Sequence, residues 1–123
     1  MNIISTDHAP QAIGPYSQAI EVNNMIFTSG QIALRADGSF VEGDVEAQTT
    51  QVMQNLSHVL QAAGSSLQNV VKTTIFLANM DDFAKVNAIY GSFFGDHKPA
   101  RSTVGVKCLP KNALVEVEAI AVK

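Results

Sequence analysis

The chain has 123 residues, 46% of them hydrophobic and 15% charged; this length predicts one domain over residues 1–123, and this apolar fraction excludes wholesale disorder. Eight basic against eleven acidic side chains leave a net charge of −3, with two arginines, Arg35 and Arg101, and no basic run, so nucleic acid is disfavoured as the main partner. Charge is scarce against the ~25% usual for globular domains, which fits surface buried against another copy or a monomer with a neutral polar surface.

Ala19–Val22 and Met25–Ser29 are apolar-rich runs split by Asn23-Asn24. Asparagine tolerates positive φ, so the pair predicts a two-residue hairpin turn. Arg35-Ala36-Asp37-Gly38 is a second turn signal. From Asp44 the period changes: Val52, Met53, Leu56, Val59, Leu60 and Ala63 fall on one helical face, with Gln51, Gln54, His58 and Gln61 opposite. Asp44 suits the N-cap and Gly64 the position past the end. His58 is expected to be solvated. Val70–Ala78 reads as a buried strand, rich in β-branched residues. Asp81 or Asp82 should cap a second helix with Phe83, Val86, Tyr90, Phe93 and Phe94 on its apolar face, ended by Gly95 and Lys98-Pro99. Two strands follow, Ser102–Cys108 and Leu114–Val122.

The order β-β-α-β-α-β-β predicts an α+β fold. Strand–helix–strand units favour right-handed parallel crossovers, and the flanking hairpins favour antiparallel pairs. A mixed sheet with both helices on one face follows. Threonines and valines point to the other face, which suggests cover by another subunit.

Several chemistries lose support. His8, His58 and His97 lack metal-ligand spacing, and Cys108 is the one cysteine, so no zinc site and no internal disulfide are expected. A lone cysteine fits a reducing cytoplasm. By alternation Cys108 shares a face with Val104 and Val106 and is expected to pack. Gly38 and Gly43 have phosphate-loop spacing, but Asp44-Val45 stands where Lys and Ser/Thr are needed. The N-terminus lacks a signal-peptide pattern, and no apolar run approaches ~18 residues. Asn55-Leu56-Ser57 matches a glycosylation sequon, read as chance.

Two charges are oddly placed. Arg101 sits where Pro99-Ala100 enters a strand, and arginine suits a carboxylate through two parallel hydrogen bonds. Glu116 lies inside an apolar strand, sharing a face with Leu114, Glu118 and Ile120. Burial would raise its pKa toward the range of a general base. An ordinary Arg–Glu ion pair, or an exposed edge strand, accounts for the same residues. Gly14-Pro15-Tyr16-Ser17 and Thr28-Ser29-Gly30-Gln31 set small residues beside hydroxyls, as a ligand site or as two turns. Asn87 falls at the edge of the second helix's apolar face.

Together these stretches resemble the RidA/YjgF family of reactive-intermediate (enamine/imine) deaminases. The matching pieces are Ala12–Ala19, Thr28–Gln31, Val71–Phe76, Asp82–Asn87, Pro99–Ser102, and Leu109-Pro110-Lys111 with Glu116–Val122. The resemblance implies a chorismate-mutase-like (ferredoxin-like) α+β domain in a homotrimer, with ligand clefts between subunits. It implies hydrolysis of 2-imino acids to 2-oxo acids and ammonia, without metal or cofactor. These imines arise from 2-aminoacrylate and 2-aminocrotonate, released by pyridoxal-phosphate serine and threonine dehydratases. Carried over, Arg101 would bind the substrate carboxylate and Glu116 would activate water. Tyr16, Ser29, Gly30 and Asn87 would line the pocket. Thr103 stands where many members have cysteine and would contribute its backbone; at Gly105 glutamate is frequent in the family. A small 2-oxo-acid sensor on the same scaffold, and a role on RNA, are the alternative readings.

Overall fold

A computed structural model describes residues Met1–Lys123. The first hairpin forms where the asparagines predict it: Asn23 and Asn24 take φ of 53° and 61°, joining β2 (Ala19–Val22) to β3 (Met25–Thr28). A short strand that the sequence pattern does not reveal, β1 (Asn2–Ile4), pairs antiparallel with β2. Three residues are too few for an alternation to register.

Helix α1 spans Val45–Ala62. Asp44 Oδ1 accepts from the Ala47 N–H at 2.8 Å, the expected N-cap. Gly64, just past the end, has φ +79°. The predicted apolar face is the buried one, with Val52, Met53, Leu56, Val59 and Leu60 fully enclosed. Truncating one of these to Ala would cost about 2–5 kcal/mol. Asn55, the sequon residue, is buried too. His58 corrects the expectation of a solvated side chain: its ring is half-buried, with Nδ1 2.8 Å from the His8 carbonyl.

Strand β4 (Val70–Leu77) leads to α2 (Phe83–Phe94). Asp82 precedes this helix but its side chain makes no cap bond. Asn79 instead accepts from the Asp81 N–H at 2.9 Å, closing a short 3₁₀ turn that feeds the helix. Strand β5 runs Ala100–Gly105, two to three residues earlier than predicted. Cys108 therefore lies beyond the strand and is exposed, not packed. Strand β6 spans Val115–Val122.

The six strands form one mixed sheet in the order β1-β2-β3-β6-β4-β5. Only β4 and β5 pair in parallel. The last two strands are not a hairpin: β6 leaves β5, turns at Pro110–Asn112, and inserts antiparallel between β3 and β4. Its alternation explains why it is central. Val115, Val117, Ala119 and Ala121 are buried under the helices. Across from the first three, β4 places Leu77, Ile75 and Thr73, all buried. The other face carries Glu116, Glu118 and Ile120, opposite Phe76, Thr74 and Lys72. No helix covers that face, and Phe27 and Val122 there remain about 40% exposed (42% and 39%). No helix is long and apolar enough to cross a membrane.

Candidate functional site

The predicted site residues other than Thr103 fall into two clefts. The first, of about 590 Å³, is lined by Ile13, Tyr16, Ser29, Gly30, Gln31 and Glu116 among others. Its walls are loops held by hydrogen bonds. The buried Gln18 amide accepts from the Thr6 N–H (2.7 Å) and donates to the Thr6 and Pro10 carbonyls (3.1 and 2.8 Å). Ser29 donates its N–H to the Gln18 carbonyl (2.9 Å) and its hydroxyl to the Ser17 carbonyl (2.5 Å). Gln31 exchanges two backbone bonds with Val117, at 2.9 and 3.1 Å. That bridge sets Gly30 beside Glu116.

The fit there is close. A Cβ at residue 30 would fall on the Glu116 carboxyl group, 2.9 Å from Cδ. Glycine is the residue that leaves this space. Glu116 is half-buried on the open sheet face, which it shares with Glu118 and Ile120 as period 2 predicts, and no side chain bonds to its carboxylate. Its pKa is raised, first by burial and then by the Glu118 charge on the same face. Tyr16 is 55% exposed at the rim. Its N–H donates to the Gly14 carbonyl at 2.9 Å, a turn that Gly14 makes with φ +116°.

The second cleft, of about 410 Å³, is lined by Asn87, Tyr90, His97, Pro99 and Arg101 among others. Arg101 Nη1 donates to Asn87 Oδ1 at 2.6 Å. The guanidinium carbon lies 5.4 Å from the Phe83 ring centre and 5.2 Å from that of Tyr90. No carboxylate pairs with it; the chain's salt bridge is Lys123–Glu21, at 3.3 Å. Thr103, two residues along β5, keeps a buried Oγ1 with no hydrogen-bond partner. As β5 is the sheet's edge strand, part of its backbone is free to bond elsewhere.

The structure thus gathers Tyr16, Ser29, Gly30 and Glu116 in one place, and Asn87 and Arg101 in another. It does not bring Arg101 to Glu116 within one chain, which overturns an ordinary Arg–Glu ion pair. Sheet register gives the reason. Arg101 aligns with Thr73 and Ala119, on the helix side, whereas Glu116 aligns with Phe76 and Val104, on the open side. Sequence reasoning treats Phe83 and Tyr90 as core and overlooks that they flank Arg101. Their spacing with Asn87, at i, i+4 and i+7, was the available signal. No group of three or more His, Cys, Asp or Glu side chains could hold a metal ion.

The sheet order, the one-sided helices and the glycine-backed carboxylate define an α+β domain of a known kind, and the family model described as endoribonuclease L-PSP matches residues 6–123. The chain belongs to this family, the YjgF/RutC/RidA family. It is 47% identical over 123 residues to the 2-iminobutanoate/2-iminopropanoate deaminase of Escherichia coli K12, covering 98% of this chain and 96% of that one. It is 52% identical over 122 residues to a Lactococcus lactis protein named as the regulator AldR, with 98% and 97% covered. Among solved structures, a Thermotoga maritima protein described as an endoribonuclease superposes with TM-score 0.98 at 52% identity, covering 100% and 98%. Escherichia coli TdcF with bound serine superposes with TM-score 0.95 at 41% identity, covering 100% and 99%.

Proposed function

We propose that the protein is a 2-imino acid deaminase that converts 2-iminopropanoate and 2-iminobutanoate to 2-oxo acids and ammonia. The observation that carries this reading is Glu116: a half-buried carboxylate with a raised pKa, in a cleft where Gly30 leaves it room. The relatives named for this activity support it.

In this reading the imine supplies the electrophile, so no metal or cofactor is required. Arg101 binds the substrate carboxylate. Glu116 takes a proton from water as its oxygen attacks C2 and the C=N electron pair moves to nitrogen. The protonated Glu116 returns that proton to nitrogen, giving a carbinolamine. Glu116 then takes the carbinolamine hydroxyl proton and passes it to nitrogen as the C–N bond breaks and the C=O bond forms, so ammonia leaves behind a 2-oxo acid. Tyr16, Ser29, Gly30 and Asn87 line the site, with Thr103 contributing backbone. Because Arg101 and Glu116 lie on opposite sheet faces, one subunit's Arg101 must serve a neighbour's Glu116. A homotrimer with clefts between subunits satisfies this and covers the exposed apolar face. The chain would act in the cytoplasm beside pyridoxal-phosphate serine and threonine dehydratases, sparing such enzymes damage by 2-aminoacrylate.

The test is release of pyruvate or 2-oxobutanoate from an in situ dehydratase. Wild-type protein should speed release, and Arg101→Ala should not. Sedimentation equilibrium should give three times the 13.1 kDa chain mass; a monomer would sink the shared site. The relative named as a regulator favours a second reading, a small 2-oxo-acid sensor. Binding of 2-oxobutanoate without acceleration, unchanged in Glu116→Ala, would select it. RNA cleavage that survives Arg101→Ala would select a role on RNA.

A further inference from the structure

Arg101 is held without being neutralised. Every group that fixes it is uncharged: the Asn87 amide and the rings of Phe83 and Tyr90. These three residues form one stripe of α2. Tyr90 is itself anchored. It is 6% exposed, its ring packs 4.7 Å from that of Phe94, and its hydroxyl lies 2.7 Å from Thr73 Oγ1. Thr73 is the β4 register partner of Arg101. The support therefore runs from β4 through Tyr90 on α2 to the guanidinium on β5.

We infer that Tyr90 and Phe83 are positioning residues for the Arg101 carboxylate clamp, forming with Asn87 a charge-neutral cage that fixes the guanidinium and leaves its charge free for an incoming carboxylate. The inference rests on the proposed role of Arg101 as that clamp. The physics favours this arrangement over an acidic anchor. A carboxylate at position 87 would fix Arg101 as firmly, but it would also compete with the ligand for the same donors. Aromatic faces attract the cation through their quadrupole and accept none of its hydrogen bonds. Asn87 occupies one N–H of a guanidinium that has five. A free arginine loses much rotamer freedom on binding; the cage removes that cost beforehand.

The test is calorimetric titration of the full-length protein with 2-oxobutanoate, beside steady-state hydrolysis of 2-iminobutanoate generated in situ. Tyr90→Leu and Phe83→Leu should each weaken 2-oxobutanoate binding about two- to fivefold, the scale of a lost cation–π contact to an exposed guanidinium. KM should rise by the same factor with kcat within about twofold, as for lost uniform binding. Tyr90→Phe keeps the ring and should restore most of the affinity. Val86→Ala, which opens the core on the same helix, should lower thermal stability and leave affinity at the wild-type value. Wild-type affinity in both leucine variants would overturn the cage, as would an equal loss in Val86→Ala. Should Tyr90→Leu fail to fold, the half-exposed Phe83 gives the decision. Binding that depends on Tyr90 without any wild-type turnover would sink the deaminase reading and keep the cage. Wild-type turnover with cage-independent binding would do the reverse.

Discussion

The two clefts handle charge in opposite ways. Around Arg101 the protein supplies a neutral amide and two aromatic faces, so the cation is oriented while its charge stays unspent. Around Glu116 it supplies burial and a like charge from Glu118, which push the carboxyl toward its protonated form. A ligand clamp must keep its charge and its geometry. A base must hold a proton readily enough to accept it from water. The difference between the two clefts matches the division of labour proposed for them.

The strongest way to break the comparison is at the base. Glu116→Gln should lower kcat by about 10²–10⁴-fold, the usual worth of a general base, with KM little changed. Its stability should move the other way. Because the folded-state pKa is raised, the folded protein holds this proton more tightly than the unfolded chain does. Ionising Glu116 therefore costs stability as pH rises from the ordinary carboxyl range through the raised value. Thermal melts at neutral pH should find Glu116→Gln no less stable than wild type.

At the clamp, Arg101→Ala should lower kcat/KM on the order of 100-fold, from loss of charged hydrogen bonds, measured in the same coupled assay. Gly30→Ala tests the contact between the loop and the base. The new Cβ must displace the Glu116 carboxyl, so kcat should fall at least about tenfold, at a stability cost of about 1–3 kcal/mol for the overpacking. Asn87→Asp should preserve the fold yet weaken 2-oxobutanoate severalfold, since an acidic anchor competes with the ligand; tighter binding would show that neutrality of the cage is irrelevant. The smallest effect concerns pH. The acid limb of the rate profile should lie above the ordinary carboxylate range, because the proposed mechanism uses ionised Glu116. Glu118→Gln should move that limb to lower pH by removing the like charge.

Much of this molecule is legible in its sequence because the relevant physics is local. The asparagine pair, the Asp44 cap and the α1 apolar face each follow from a few adjacent residues. Alternation in β6 correctly sets Glu116 on one face with Glu118 and Ile120; that this is the face away from the helices came only with the structure. The same rule failed at Cys108, since it presumed a strand that ends at Gly105. It missed β1, whose three residues gain strand character only by pairing with β2.

What the sequence by itself determined was the kind of each main element, the apolar face of α1, the alternation along β6, and the oddness of one arginine and one in-strand glutamate. Only the tertiary structure decided that β6 enters between β3 and β4, that Arg101 and Glu116 stand on opposite faces, and that Phe83 and Tyr90 flank the arginine. The physical reason is range. Side-chain alternation and helical period are properties of consecutive residues, whereas strand order and the approach of α2 to β5 are set by pairing and packing between segments far apart in the chain.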